Sequence, residues 1–412
     1  MTGPTHSDLA GGWKEIMAAL FRLGATSYGG PAIMGIMQAD LLEKRKWVSK
    51  ERFLEGLAVA NMVPGATATQ LGIFFAYARG GWWGGLLGGL SFVLPAFVIM
   101  LGLTVVYAGL GVTPIARGAL YGVGPVVLAL FAVAVYRLGR TAASTVPEAI
   151  IGLVAAAASV WSPLGIVAIL LLAGAAGLLL FQPRTPRVVV LSSVVFLVVF
   201  SASWWIATTS SAVGAGSIPN PNNLWELGRY FFKVGAFTIG GGLTMIAFIQ
   251  DQVVRQFGWL TPREFIDGMA LGQLTPGPVL MIAAYVGYKV AGISGAVVAA
   301  IASFLPSFMI MLAILPVLDR VRKLAWVRAV MKGMAPGVIG VLAVSLVRLA
   351  PAALPDPFAI AILVASVAVL LMLRVDAFKL MIVGAVLGVL RSRLPLTLGS
   401  RALEHVVALT GF

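Results

Sequence analysis

The feature that most constrains this chain is that it contains one pattern twice. Phe21-Arg22-Leu23-Gly24-Ala25, leading to Gly29-Gly30-Pro31, returns 211 positions later as Phe232-Lys233-Val234-Gly235-Ala236, leading to Gly240-Gly241-Gly242. At the same shift Leu94-Pro95-Ala96-Phe97 becomes Leu305-Pro306-Ser307-Phe308, Arg117 becomes Arg328, Pro125 becomes Pro336 and Arg137-Leu138 becomes Arg348-Leu349. Between them Trp47, Phe53, Pro64 and Gly65 recur as Trp259, Phe265, Pro276 and Gly277 at a shift of 212, so the second copy gains one residue in a surface loop and loses one later. In an apolar chain, two copies of one unit are the mark of a transporter.

Apolar residues make up 60% of the 412 and charged ones 11%. A soluble domain has about 45–50% and about 25%. Runs such as 150–160, 164–181 and 188–206 approach the roughly 20 residues that cross a bilayer. The chain therefore reads as a polytopic helical membrane protein. With no cysteine and only His6 and His405, it offers no disulfide, thiolate metal site or histidine cage, and no cofactor is expected. Residues 1–13 are polar and lack the pattern of a cleaved signal peptide. The net charge of +14 follows from basic residues gathering in cytoplasmic loops, with a smaller share left to attract anions. Nucleic acid does not suit so apolar a chain.

The sequence divides into a first transmembrane repeat at 13–182, a linking helix at 187–208, a polar linker at 209–223, a second repeat at 224–391 and a tail at 392–412. One extra crossing between two copies with an even number of crossings turns them opposite ways. Loop charge agrees. Residues 43–52 hold Lys44, Arg45, Lys46, Lys50 and Arg52, whereas the equivalent 254–264 holds Arg255 and Arg263. Residues 319–332 reverse this, with five basic side chains against Arg117 alone in 108–121. Each loop is thus inside in one copy and outside in the other. Arg391, Arg393 and Arg401 run against an outside C-terminus. The expected fold is an all-α polytopic membrane protein of two inverted-topology repeats, with broken, re-entrant helices opening each half.

The breaks are Tyr28-Gly29-Gly30-Pro31 and Val63-Pro64-Gly65 in the first copy, and Gly240-Gly241 and Pro276-Gly277 in the second. Proline removes a helical hydrogen bond and glycine frees the backbone. In lipid, such breaks survive only where protein or a water-filled cavity satisfies the freed groups. Half-helices ending at mid-membrane aim unpaired N–H groups and a positive dipole end at whatever lies between them, which suits an anion. Arg22, Thr26, Ser27, Tyr28, Asn61, Lys233, Thr238, Gln273 and Thr275 stand around these breaks and can donate to oxyanion oxygens. A bland alternative is that the small residues only permit close helix packing. Two different breaks in both copies favour the site. Arg22 and Lys233 are matched cations that either face the site or snorkel to the interface. Glu55 and Asp267 coincide under the repeat; they are candidates for carrying a coupling proton, or else ordinary charges in the first turns of a helix.

These residues resemble the chromate ion transporter (CHR) family, long-chain type. The resemblance rests on Phe-x-x-Gly-x-x-x-x-Gly-Gly near the start of each half, on Pro-Gly at 64–65 and 276–277, and on Leu-Pro-x-Phe at 94–97 and 305–308. It implies export of chromate, a tetrahedral dianion like sulfate, across a bacterial inner membrane by a proton-driven antiporter. The first half departs with Ala66 where the second has Pro278, and with Pro31 where the second has Gly242, so either copy could contribute more to binding. Uptake of sulfate or another oxyanion, and a passive anion channel, remain open on the residues alone, as does a homodimer.

Overall fold

The computed structural model describes residues 6–27, 32–110, 113–182, 186–212, 223–238, 242–318, 324–373 and 375–393. These residues form helices throughout, with no strand among them. The first repeat runs α1 (His6–Thr26), α2 (Ala32–Met37), α3 (Lys50–Met62), α4 (Thr67–Leu110), α5 (Pro114–Ala142), α6 (Val146–Trp161) and α7 (Ile166–Phe181). The linking helix α8 (Pro186–Ala212) runs a few residues past the span expected from hydropathy. The second repeat follows as α9 (Leu224–Ala236), α10 (Leu243–Phe248), α11 (Pro262–Leu274), α12 (Ile282–Ile314), α13 (Ala325–Ala353), α14 (Pro357–Met372) and α15 (Ala377–Arg393).

The repeat extends to irregular backbone. Both α2 and α10 continue as a π-helical stretch, at Gln38–Lys44 and Ile249–Gln256. Ser49 and Thr261 each cap the following helix by accepting from the N–H three residues on. The long helices α4 and α12 kink at equivalent glycines, Gly81 (φ 61) and Gly292 (φ 64).

Length sorts the elements. Among the described residues, four helical stretches, Thr67–Gly109, Pro114–Ala142, Val279–Val317 and Ala325–Ala353, are long and apolar enough to cross a bilayer. By contrast α3, α9 and α11 have 13 residues each, about 20 Å at 1.5 Å per residue, against a hydrocarbon core of about 30 Å. They are arms of interrupted elements and too short to be spans.

Packing joins the repeats in two layers. Within each repeat the first helix lies along the fourth, at a distance only glycine allows. A Cβ at Gly24 would fall on the Phe92 carbonyl, and one at the equivalent Gly235 on the Ser303 carbonyl. Beyond that layer the partners are exchanged. Helix α5 packs through Gly118 and Gly122 on Gly384 and Gly388 of α15, while its equivalent α13 packs through Gly333 on Ala173 and Gly177 of α7. Arg137 of α5 donates to the Leu370 carbonyl near the end of α14 (2.8 Å), and Arg348 of α13 donates to the Ser159 carbonyl near the end of α6 (2.8 Å). Cations near helix C-termini satisfy orphan carbonyls and complement the dipole.

Arg391 also acquires a role. It pairs with Asp356 (2.8 Å), the N-cap of α14, and lies over the Phe358 ring. Burial alone would raise the Asp356 carboxyl. Hydrogen bonds from Tyr121, the Ala359 N–H and Arg391 outweigh that and hold it below the usual carboxylate range. Arg391 is therefore explained by this ion pair as well as by any topological preference.

Alanine at Gly24 or at Gly235 should destabilise the protein by about 1–3 kcal/mol, the cost of overpacking a tight contact. Thermal unfolding in detergent should show a lower midpoint for each. A wild-type midpoint in either variant would contradict the close approach.

Candidate anion site at the meeting of four helix breaks

Each break is completed by the opposite repeat. Gly65 follows α3 with φ 133, and its N–H donates to the Thr238 carbonyl at 2.6 Å, just past α9. Gly277 follows α11 with φ 99, and its N–H donates to the Ser27 carbonyl at 2.8 Å, just past α1. Ser27 and Thr238 are equivalent under the repeat, as are the two glycines, so the bonds form a reciprocal pair. Both glycines are required twice over. Left-handed φ disfavours any side chain, and a Cβ at Gly65 would meet Ser307 and Gln70 while one at Gly277 would meet Ala96. Gly242 (φ 95), the first described residue after the second Gly-Gly, lies against Val279 and Leu280 at the start of α12. The described residues that flank the four interruptions are thus linked into one junction.

The two halves of the junction differ in a compensated way. The Ala66 N–H donates to Ser307 Oγ at 2.9 Å. The equivalent of Ala66 is Pro278, which has no N–H, and the equivalent of Ser307 is Ala96, which has no hydroxyl. Donor and acceptor are present together at one of the two equivalent contacts between repeats and absent together at the other. Read separately, the two substitutions are departures from the repeat.

Ser27, Thr238 and Thr275 are buried, as are Gly65, Pro276 and Gly277, while Pro64 and Gln273 are partly exposed and Asn61 is exposed. Thr26, Thr238 and Thr275 each donate their hydroxyl to the carbonyl four residues back. In this state those three expected oxyanion donors are engaged with their own helices. The hydroxyl of Ser27 and Oε1 of Gln70 are buried without a hydrogen-bond partner among the described residues. Gln70, a further amide that the sequence sets beside the break, donates its Nε2 to the Pro64 carbonyl at 2.7 Å. Tyr28, Gly29, Gly30, Gly240 and Gly241 lie outside the described residues. Arg22 and Lys233 are exposed, in the last turns of α1 and α9, and are not enclosed in the junction.

The two carboxylates matched by the repeat have different surroundings. Glu55 is about one-third exposed and pairs with Arg52 at 2.8 Å. Asp267 is buried; the Tyr107 hydroxyl donates to its Oδ2 at 3.0 Å, and Arg263 Nε lies 3.4 Å from Oδ1. Sequence reading passed over Tyr107, whose only signal is that it replaces the repeat's Leu318.

Replacing Ser307 by alanine should leave the Ala66 N–H buried and unsatisfied, at a cost of about 1–3 kcal/mol. Adding Ala66→Pro copies the second half's solution and should recover much of the loss. Additive destabilisation in the double variant, measured by thermal unfolding, would contradict the pairing.

The chromate transporter family model matches the chain twice, at residues 14–178 and 225–389, one match per repeat. The chain is 32% identical over 362 residues to a probable chromate transport protein of Synechococcus elongatus, covering 85% of this chain and 88% of the relative. It is 31% identical over 398 residues to the chromate transport protein of Cupriavidus metallidurans, covering 94% and 93%, and 30% identical over 344 residues to that of Pseudomonas aeruginosa, covering 82% and 81%. No solved structure matches it. Two tandem matches and relatives of this length, on an apolar helical fold built twice, establish that the chain belongs to the chromate transporter family.

Proposed function

We propose that this protein exports chromate across a bacterial inner membrane as a secondary transporter driven by the proton gradient. The observation that carries this reading is the meeting of four interrupted helices in one junction, held by reciprocal backbone bonds between repeats. Broken helices facing each other across a repeat interface are how secondary transporters build an anion site at the bilayer midplane. A dianion there is held by helix N-termini and by Ser27 and Gln273, joined by Thr238 and Thr275 when their hydroxyls turn from the carbonyls of their own helices.

The repeats lie in inverted orientation, and rocking of one against the other exposes the junction to each side in turn. Arg22 and Lys233 stand at the approaches, where exposed cations draw an anion inward. Asp267 is the better placed of the two coupling candidates: it is buried between repeats, whereas Glu55 is partly exposed with its arginine. A proton on Asp267 would cancel its pairing with Arg263, which links proton movement to the interface.

Inside-out vesicles should accumulate chromate, and an uncoupler should abolish the accumulation. Accumulation that survives the uncoupler would argue for a passive channel. Excess sulfate that prevents chromate entry would mark the site as one for tetrahedral dianions in general. Arg22→Gln or Lys233→Gln should each reduce flux by about tenfold, equivalent to about 1.4 kcal/mol of lost attraction. Wild-type flux in both variants would remove these cations from the pathway.

A further inference from the structure

Under the repeat, α3 and α11 are the same helix, yet they differ sharply in burial. Leu54 is 54% exposed where its equivalent Ile266 is 2% exposed. Ala58 is exposed where Ala270 is buried, and Leu57 is partly exposed where Met269 is buried. A sequence difference does not account for this, because Leu54 and Ile266, or Ala58 and Ala270, are of one kind. The difference lies in what each helix packs against.

Helix α11 is closed onto the first repeat. Tyr107, in the last turn of α4, donates to Asp267, and the Tyr107 ring lies 5.9 Å from that of Tyr285. The Tyr285 hydroxyl donates to the Glu264 carbonyl at 2.8 Å. Arg263 lies beside α5 at Gly124, and Lys289 of α12 pairs with Glu264 at 2.7 Å. On the pseudo-equivalent side, where Leu318 stands in place of Tyr107, α3 meets α13 only sparsely. A cavity of about 400 Å³ opens there, lined by Val59, Val63, Leu318, Trp326, Val330 and Met334.

We propose that Tyr107 is a positioning residue for transport: its hydrogen bond to Asp267 latches the repeat interface shut at α11 while the matching interface at α3 stands open. The alternate state exchanges the two, with α11 released from α4 and α3 closed over the cavity. One side has a polar latch and the other an apolar seat, so the two states are closed by different chemistry. This rests on the transport reading above, since only a carrier needs two exchanging closures.

Because the chain has no cysteine, single cysteines report each side cleanly in the full-length, detergent-solubilised protein without substrate. A cysteine in Ala58→Cys should react quickly with a maleimide and one in Ala270→Cys slowly. Adding Tyr107→Phe, checked as monodisperse, should speed the reaction at 270 and slow it at 58. The expected change is about tenfold, the population shift produced by losing one hydrogen bond to a charged group. Leu318→Tyr, which brings a hydroxyl to the Glu55 side, should do the reverse and serves as the test if Tyr107→Phe does not fold. Unchanged rates at both positions in the folded variants would overturn the latch. Expected labelling in a protein that moves no chromate would sink the transport reading and leave the latch standing. Chromate flux with unmoved labelling would do the opposite.

Discussion

A broken helix inside a bilayer must find partners for the backbone groups it frees, because lipid supplies none. In this protein each repeat supplies them to the other. The Gly65 N–H reaches the Thr238 carbonyl and the Gly277 N–H reaches the Ser27 carbonyl. Much else follows from this exchange. The two glycines must adopt left-handed backbone so that their N–H groups point across the interface, and the residues beside them, Ser307 and Ala96, must be small. The first helix of each repeat must lie close along the fourth so that its end reaches the junction, which fixes Gly24 and Gly235 against carbonyls.

Much of this was legible in the chain itself. The repeat register located both pairs of breaks, because Pro64-Gly65 and Pro276-Gly277 keep their spacing from Trp47 and Trp259 across the copies. It also matched Arg137 with Arg348, and each is bonded to a carbonyl near a helix end in the opposite repeat. What repetition could not give was pairing between copies. A local pattern shows which residues interrupt a helix, but not which carbonyl a freed N–H will meet some 170 residues away. The exchange of α5 and α13 onto each other's repeats was equally hidden, since their glycine faces suit any close helix partner.

The departures from the repeat proved as informative as the matches. Ala66 with Ser307, and Pro278 with Ala96, are two solutions to one buried N–H: bond it or delete it. Tyr107 against Leu318 is a departure of another kind, since it gives one interface a polar contact that the other lacks. A duplicated unit can keep its shared architecture where the two copies agree and acquire distinct duties where they differ. Asp267, enclosed with Tyr107 and Arg263, and Glu55, partly exposed beside Arg52, share an origin in the repeat but not a setting.

The crossed packing of α5 with α15, and of α13 with α7, has a consequence for biogenesis. The glycine seam of α5 meets its partner only when α15, the last helix among the described residues, has been made. During synthesis the early half must wait in the membrane with a small-residue groove facing lipid until α15 emerges to fill it. Such a polypeptide cannot mature piecewise. A chain truncated before α15 presents an unfilled seam to quality-control proteases, however well its first seven helices have inserted.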